Sequence, residues 1–305
     1  MEGAEKDDFF HRSDENLALQ DGMDACLKAF DVDRDGRLSV DEFGALCRAL
    51  FRSEAGEPYP LETKKLAHMF SVFDTNEDGF IDKDEFQRCW SEWITTIVRP
   101  VTALVIVDVQ NDFISGSLAV CNCPAGQKGD EVIPVINLLL ETVKFDVVAY
   151  SLDWHPSDHI SFITNVANFP MHSSSTVIDD SLCIKKGCNR EIESYSAFFD
   201  NAKQSSTGLA GQLRERFVTD VFVCGLATDV CVGATASDAR EEGFRTVIID
   251  DASRGVVADN IETMKRNFAG KHGVVVDSAK VGNMALGRDR HPELAYKLAL
   301  DLAQK

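Results

Sequence analysis

The stretch "DWHPSDHISF" sets Asp153, His155 and His159 directly after the apolar run "FDVVAY". A carboxylate and an imidazole two residues apart at a strand end are ligand types for a divalent transition metal. His159 reads equally well as a satisfied loop histidine. Three further groups stand at similar junctions: Asp108 in "DVQNDF", Lys186 in "KKG" and Cys231 in "CGLATDVCVGA". Cys231 lies where an apolar run gives way to a helical pattern. The free N–H groups of a helix start, and a nearby ammonium, favour a thiolate. With a carboxylate to carry the proton, cysteine, lysine and aspartate form a constellation for nucleophilic acyl chemistry. From position alone, a small buried helix cysteine is an equally good account of Cys231. Cys121 and Cys123, in "VCNCPAGQ", lack a second pair to complete a four-ligand site and read as loop thiols.

These residues need a scaffold that gathers strand ends. Apolar runs at 103–109, 146–151, 183–185, 221–224, 246–249 and 274–276 alternate with helical patterns at 132–143, 209–217, 231–242 and 261–268, and a last helix is expected from Pro292 to Leu302. Unbroken Val/Ile runs are the mark of strands buried on both faces, hence an α/β fold with a parallel sheet and helices on both faces. Ligands in such folds bind beyond the carboxyl ends of the strands. Asp108, Asp153, Lys186 and Cys231 all fall there.

The first hundred residues are different. They carry 23 Asp/Glu against 12 Lys/Arg, and "DVDRDGRLSVDE" and "DTNEDGFIDKDE" repeat one pattern 43 residues apart. The first offers Asp31, Asp33, Asp35, the Arg37 carbonyl, Ser39 and Glu42. The second offers Asp74, Asn76, Asp78, the Phe80 carbonyl, Asp82 and Glu85. Six to eight hard oxygens, with glycine at the sixth position for the sharp turn, suit Ca2+. Helical patterns flank each loop, and Leu38 and Ile81 at the eighth positions are expected to pair through a short strand. This resembles an all-α EF-hand pair. Trp90 and Trp93 either pack its core or line a target groove, with core packing the expectation. Residues 1–98 are assigned to this calcium-binding domain and 99–305 to the α/β domain, with the boundary at "IVRP".

A net charge of −19 argues against a nucleic-acid partner. No run of eighteen apolar residues marks a membrane span. The N-terminus has no apolar signal region, and nine irregularly spaced cysteines suit reduced thiols in the cytoplasm, with the nucleus as a second location. Whether the chain forms a homo-oligomer is left open.

"DVQNDF", "DWHPSDHISF", "KGCNREIESYSAFFD" and "VCGLATDVCVGATASDA", in that order, resemble the isochorismatase-like hydrolases, and among them the nicotinamidases. An EF-hand pair ahead of such a domain is similar to calcium-binding nicotinamidases of invertebrate animals. The resemblance implies Cys231 as nucleophile, Asp108 as general base and acid, and Lys186, which directly precedes Gly187, as their supporting cation. It implies Phe113 as a wall for a pyridine ring. It also implies a cis peptide between Leu226 and Ala227, with the N–H groups of Ala227 and Cys231 as the oxyanion hole. The implied activity is hydrolysis of nicotinamide to nicotinic acid and ammonia through a cysteine thioester, in NAD salvage, with zinc as the expected metal. One family element, "WPxHC", has no clear counterpart between 163 and 186. Either "FPMHS" stands in for it, making His172 a ligand, or the element is missing. The second case leaves an alternative: a calcium-responsive binding protein built on a weakened hydrolase domain.

Overall fold

In the computed structural model of the chain, residues 9–10, 20–155 and 181–304 are described. The chain divides into two compact units, one made of 1–100 together with 286–305 and the other of 101–285. The sequence reading carried the second domain through residue 305; its last twenty residues belong instead with the first unit, for a packing reason given below.

The first unit holds α1 (Gln20–Phe30), α2 (Val40–Leu50), α3 (Thr63–Phe73) and α4 (Lys83–Arg88). A π turn, Cys89–Ile94, then leads into α5 (Thr95–Val98). Between α1 and α2 the chain forms β1 (Leu38–Ser39), and between α3 and α4 it forms β2 (Phe80–Ile81). These two pair antiparallel, with Leu38 opposite Ile81, as the repeat predicted. Each second helix starts with a capping box: Ser39 with Glu42, and Asp82 with Glu85. The sixth loop positions, Gly36 and Gly79, have φ of +87° and +85°, the left-handed backbone that the turn requires.

The core of this unit is aromatic. Trp93 is fully buried, its ring 5.9 Å from Phe43, 5.8 Å from Phe51 and 5.4 Å from Phe73. Trp90 is buried too, so both tryptophans pack the core. The same core takes Ala295, Ala299 and Leu302 from the final helix, Pro292–Leu302. An amphipathic helix must bury its apolar stripe, and this one buries it here. That burial is why the last twenty residues leave the second unit.

The second unit is a six-stranded, all-parallel sheet. Its strands are β3 (Thr102–Val107), β4 (Val147–Asp153), β5 (Leu182–Lys186), β6 (Asp220–Leu226), β7 (Arg245–Arg254) and β8 (Val274–Val276), in the spatial order β5-β4-β3-β6-β7-β8. All six expected runs form strands. Helices α6 (Asn111–Ile114), α7 (Val132–Thr142), α8 (Leu209–Glu215), α9 (Gly233–Glu241), α10 (Ala258–Ala269) and α11 (Ser278–Ala285) lie between and after them; the final helix is α12. Every residue of β3 and β6 is buried, as central strands covered on both faces should be. The strand order reverses between β3 and β6, and the crevice at such a switch point is where doubly wound folds bind ligands. Among the described residues, no helix is long and apolar enough to cross a membrane.

Candidate active site

Asp108 follows β3 directly. Its φ of +49° turns the chain out of the strand and explains why the strand stops at Val107 rather than Val109. Lys186 ends β5, paired with Asp153 at the end of β4. Cys231 sits in a π turn, Thr228–Val232, between β6 and α9. Such single-turn π segments concentrate at functional sites. The Leu226–Ala227 peptide is cis, as the resemblance implied. Asp229 pins the π turn, accepting from the backbone N–H groups of Val256 at 2.8 Å and Val257 at 3.0 Å.

Lys186 is the hub. Its side chain is 1% exposed, and Nζ lies 2.9 Å from Asp108 Oδ2, 3.0 Å from Asp153 Oδ1 and 3.5 Å from Cys231 Sγ. Nζ also donates to the Ser194 carbonyl at 2.8 Å. Asp108 is wholly buried, and its second oxygen accepts from the Ser151 hydroxyl at 2.6 Å. The sheet thus delivers carboxylate, ammonium and thiol to one spot from three strand ends.

Burial pushes the Asp108 carboxyl above its ordinary range, more than the Lys186 ammonium pulls it down. Burial alone would lower the lysine, but the charges of Asp108, Cys231 and Asp153 win, and Lys186 is raised. Burial also pushes the Cys231 thiol well up, and Asp108 adds to this against the opposing pull of Lys186. The sequence reading expected a thiolate favoured by the helix end and the ammonium. In the structure, burial and the Asp108 carboxylate push the thiol up against the pull of the one cation. A thiol with an adjacent raised-pKa carboxylate is a nucleophile activated by proton transfer.

Beside this triad lies a second cluster. Asp153 Oδ1 and Glu193 Oε1 are each 3.4 Å from His155 Nε2. His155 Nδ1 is 3.0 Å from the Gly187 carbonyl, an arrangement that leaves Nε2 facing the two carboxylates. Gly187 has φ +75°, and a Cβ there would meet the His155 ring at 2.3 Å, so only glycine lets the imidazole lie so close. Metal–ligand bonds of about 2.0–2.2 Å in tetrahedral geometry place neighbouring ligand atoms roughly 3.3–3.5 Å apart; both spacings from His155 Nε2 match this, and all three atoms lie within 4.8 Å of one another, as ligands of a divalent transition metal would. Gln110 steadies the site by accepting from the Asp153 N–H at 2.7 Å.

Glu193, Ser194, Ser151 and Gln110 were not picked out as site residues. Glu193 and Ser194 stand within "EIESYS", a motif whose adjacency to Lys186 in sequence was the available signal. His159 and His172, together with the "FPMHS" segment, lie outside the described residues. Phe113 is half-buried on α6, beyond the end of β3.

In the EF-hand loops, Asp31, Asp33 and Asp35 converge, with one carboxylate oxygen from each lying within 4.8 Å of the others. Asp31 Oδ1 is buried without a hydrogen-bond partner, an expensive state for a carboxylate unless a cation sits beside it. The donor set fits calcium. Gly36 and Gly79 donate to Asp31 and Asp74 at 2.9 and 3.1 Å, closing both loops in the same way.

A parallel α/β sheet thus presents cysteine, aspartate and lysine at its carboxyl edge. Residues 102–280 match the model of the isochorismatase domain, and residues 21–91 match that of the EF-hand domain pair. The chain belongs to the isochorismatase family and carries an EF-hand pair ahead of the hydrolase domain. It is similar to the nicotinamidase of Acinetobacter baylyi, with 36% identity over 182 residues, 50% of this chain and 81% of that protein. The nicotinamidase of Schizosaccharomyces pombe is 37% identical over 200 residues, 54% of this chain and 88% of that protein. Among solved structures, a nicotinamidase/pyrazinamidase of Acinetobacter baumanii superposes with a TM-score of 0.53 at 33% identity, over 59% of this chain and 98% of the other. PnC1 of L. infantum, solved in complex with nicotinate, gives 0.52 at 29%, over 60% and 95%.

Proposed function

We propose that the chain is a nicotinamidase that converts nicotinamide to nicotinic acid and ammonia in cytoplasmic NAD salvage, with calcium held by its EF-hand pair. The observation that carries this reading is Lys186 Nζ lying within 2.9 Å of Asp108 and 3.5 Å of Cys231. The relatives named above support the substrate, and the L. infantum complex holds its product acid.

Asp108 takes the Cys231 proton as the sulfur attacks the carboxamide carbon. The oxygen of the tetrahedral intermediate is received by the N–H groups of Ala227 and Cys231. Asp108 returns the proton to the leaving nitrogen, the C–N bond breaks and ammonia departs. Asp108 then takes a proton from water, the hydroxide attacks the nicotinoyl thioester, the C–S bond breaks, and Asp108 returns the proton to the departing sulfur, releasing nicotinic acid and regenerating the thiol. Lys186 stays protonated throughout, holding Asp108 and Asp153 in place. Phe113 walls the pyridine ring. A transition metal, zinc being the expected one, would be held by Asp153, His155 and Glu193 and would supply a Lewis acid for the ring nitrogen.

The test is ammonia release from nicotinamide, measured with metal content on the same sample. Turnover that disappears in Cys231→Ala supports the reading; equal release from both proteins sinks it.

A further inference from the structure

Helix α12 is held at both ends and along its length by the EF-hand unit. Ala295, Ala299 and Leu302 enter the aromatic core at i, i+4 and i+7 spacing. That is the anchor pattern of an amphipathic helix lying in a groove. Trp93 Nε1, buried and in need of an acceptor, donates to the Ala295 carbonyl at 2.8 Å. Arg88 donates at 3.1 Å to the Leu302 carbonyl, one of those that a helix C-terminus leaves without an intrahelical partner. Glu293, in the first turn, pairs with Lys65 of α3. Tyr296 OH lies 2.8 Å from His68 Nδ1. The segment leading into the helix is tied as well: Arg290 N–H donates to the Arg52 carbonyl at 2.9 Å, and Tyr59 OH donates to Asp289 at 2.8 Å.

The partners on α3 and around the π turn have a further property. Helix α3 runs into Asp74, the first ligand position of the second calcium loop. Arg88 and Trp93 follow Glu85, its twelfth position, along the helix that starts at Lys83. The two walls that grip α12 therefore end in the first and last ligands of one loop. Any cation that fixes Glu85 relative to Asp74 fixes the spacing of those walls.

We infer that residues 286–305 are the target helix of the chain's own EF-hand pair, and that docking of α12 is coupled to calcium binding at the second loop. This rests on the calcium reading above. Coupling is reciprocal: calcium tightens the docked helix, and the docked helix raises calcium affinity by the same factor. The groove takes this chain's C-terminus rather than a helix from another protein.

The test is calorimetric calcium titration of the full chain beside full-length Ala295→Glu, which keeps a helix former but puts a carboxylate into the seam. The expected result is at least a five-fold weaker second-loop site in the variant, within the usual range of coupling. Excess synthetic peptide of residues 286–305 should restore part of that affinity. On the unaltered chain, amide exchange of Ala295–Leu302 should slow when calcium replaces chelator, a readout that survives if the variant misfolds. Calcium binding with equal affinity in both proteins, or amide exchange blind to bound calcium, overturns the coupling alone. No calcium uptake by the unaltered chain overturns the calcium reading and this inference with it.

Discussion

The EF-hand loops and the hydrolase site are both built from carboxylates around a centre, but they are assembled in opposite ways. Each EF-hand loop draws its candidate ligands from twelve consecutive residues, with backbone turns at Gly36 and Gly79 folding the chain around one point. The hydrolase site draws Asp108, Asp153, Lys186 and Cys231 from the ends of four parallel strands, across residues 108 to 231. Local assembly leaves Asp33 and Asp35 exposed while burying Glu42, Asp74 and Glu85. Assembly by a sheet makes a buried site in which every charge depends on its neighbours. Lys186 has three charged or polarisable partners within 3.5 Å, and removing the ammonium leaves the wholly buried Asp108 without its cation.

The sharpest way to break the comparison is at the thiol. Cys231→Ala should lower nicotinamide turnover by roughly 10⁴-fold, since members of a catalytic unit fail together. Its urea midpoint should stay close to that of the unaltered chain. Next is Lys186→Met, which removes turnover and leaves Asp108 buried without its cation. The expected loss is about 3–5 kcal/mol in urea unfolding near neutral pH. The sign with pH follows from the raised Asp108 carboxyl: the charged form is the costly one, so the penalty grows as pH rises above the ordinary carboxylate range and shrinks as acid returns the proton. A penalty that grows in acid would show that Asp108 is not its source.

A smaller effect is expected at Glu193→Gln. Bound transition metal, read by elemental analysis after dialysis, should weaken by at least the 10- to 100-fold typical of a lost supporting group. An unchanged metal content would remove Glu193 from the ligand set. Glu85→Gln should act on the other region alone. Stabilisation by calcium at about one hundred times its dissociation constant amounts to roughly 2.7 kcal/mol per site, and that share of the calcium-dependent rise in melting temperature should vanish. The mildest signature is chemical. Alkylation of Cys231, followed by peptide mass mapping, should be slow at pH 7 and still rising above pH 9, because burial and Asp108 hold the thiol protonated. A plateau below pH 7 would mean a resting thiolate.

Much of this molecule was legible from local pattern. The two loops, their Leu38–Ile81 pairing and all six sheet strands follow from spacing and apolar runs, because each is fixed by neighbours in sequence. The motif residues Asp108, Asp153, His155, Lys186 and Cys231 were placed on one rim by the same logic, since a parallel sheet brings every strand end to one edge. What pattern could not supply was pairing across the sheet. Nothing in "EIESYS" says that the Ser194 carbonyl receives the Lys186 ammonium, or that Glu193 meets His155. The protonation of Cys231 was likewise beyond reach, being a balance of desolvation against two opposite charges set by distances of a few ångströms.

The final helix shows the division most clearly. A last helix was expected from Pro292 to Leu302 and was assigned to the α/β domain. The structure places it with the first unit instead, because a helical pattern does not name the surface that buries it. Only the tertiary structure decided that Ala295, Ala299 and Leu302 join the EF-hand unit rather than the sheet that precedes them in sequence, where the Trp93 indole and the Arg88 guanidinium find carbonyl acceptors.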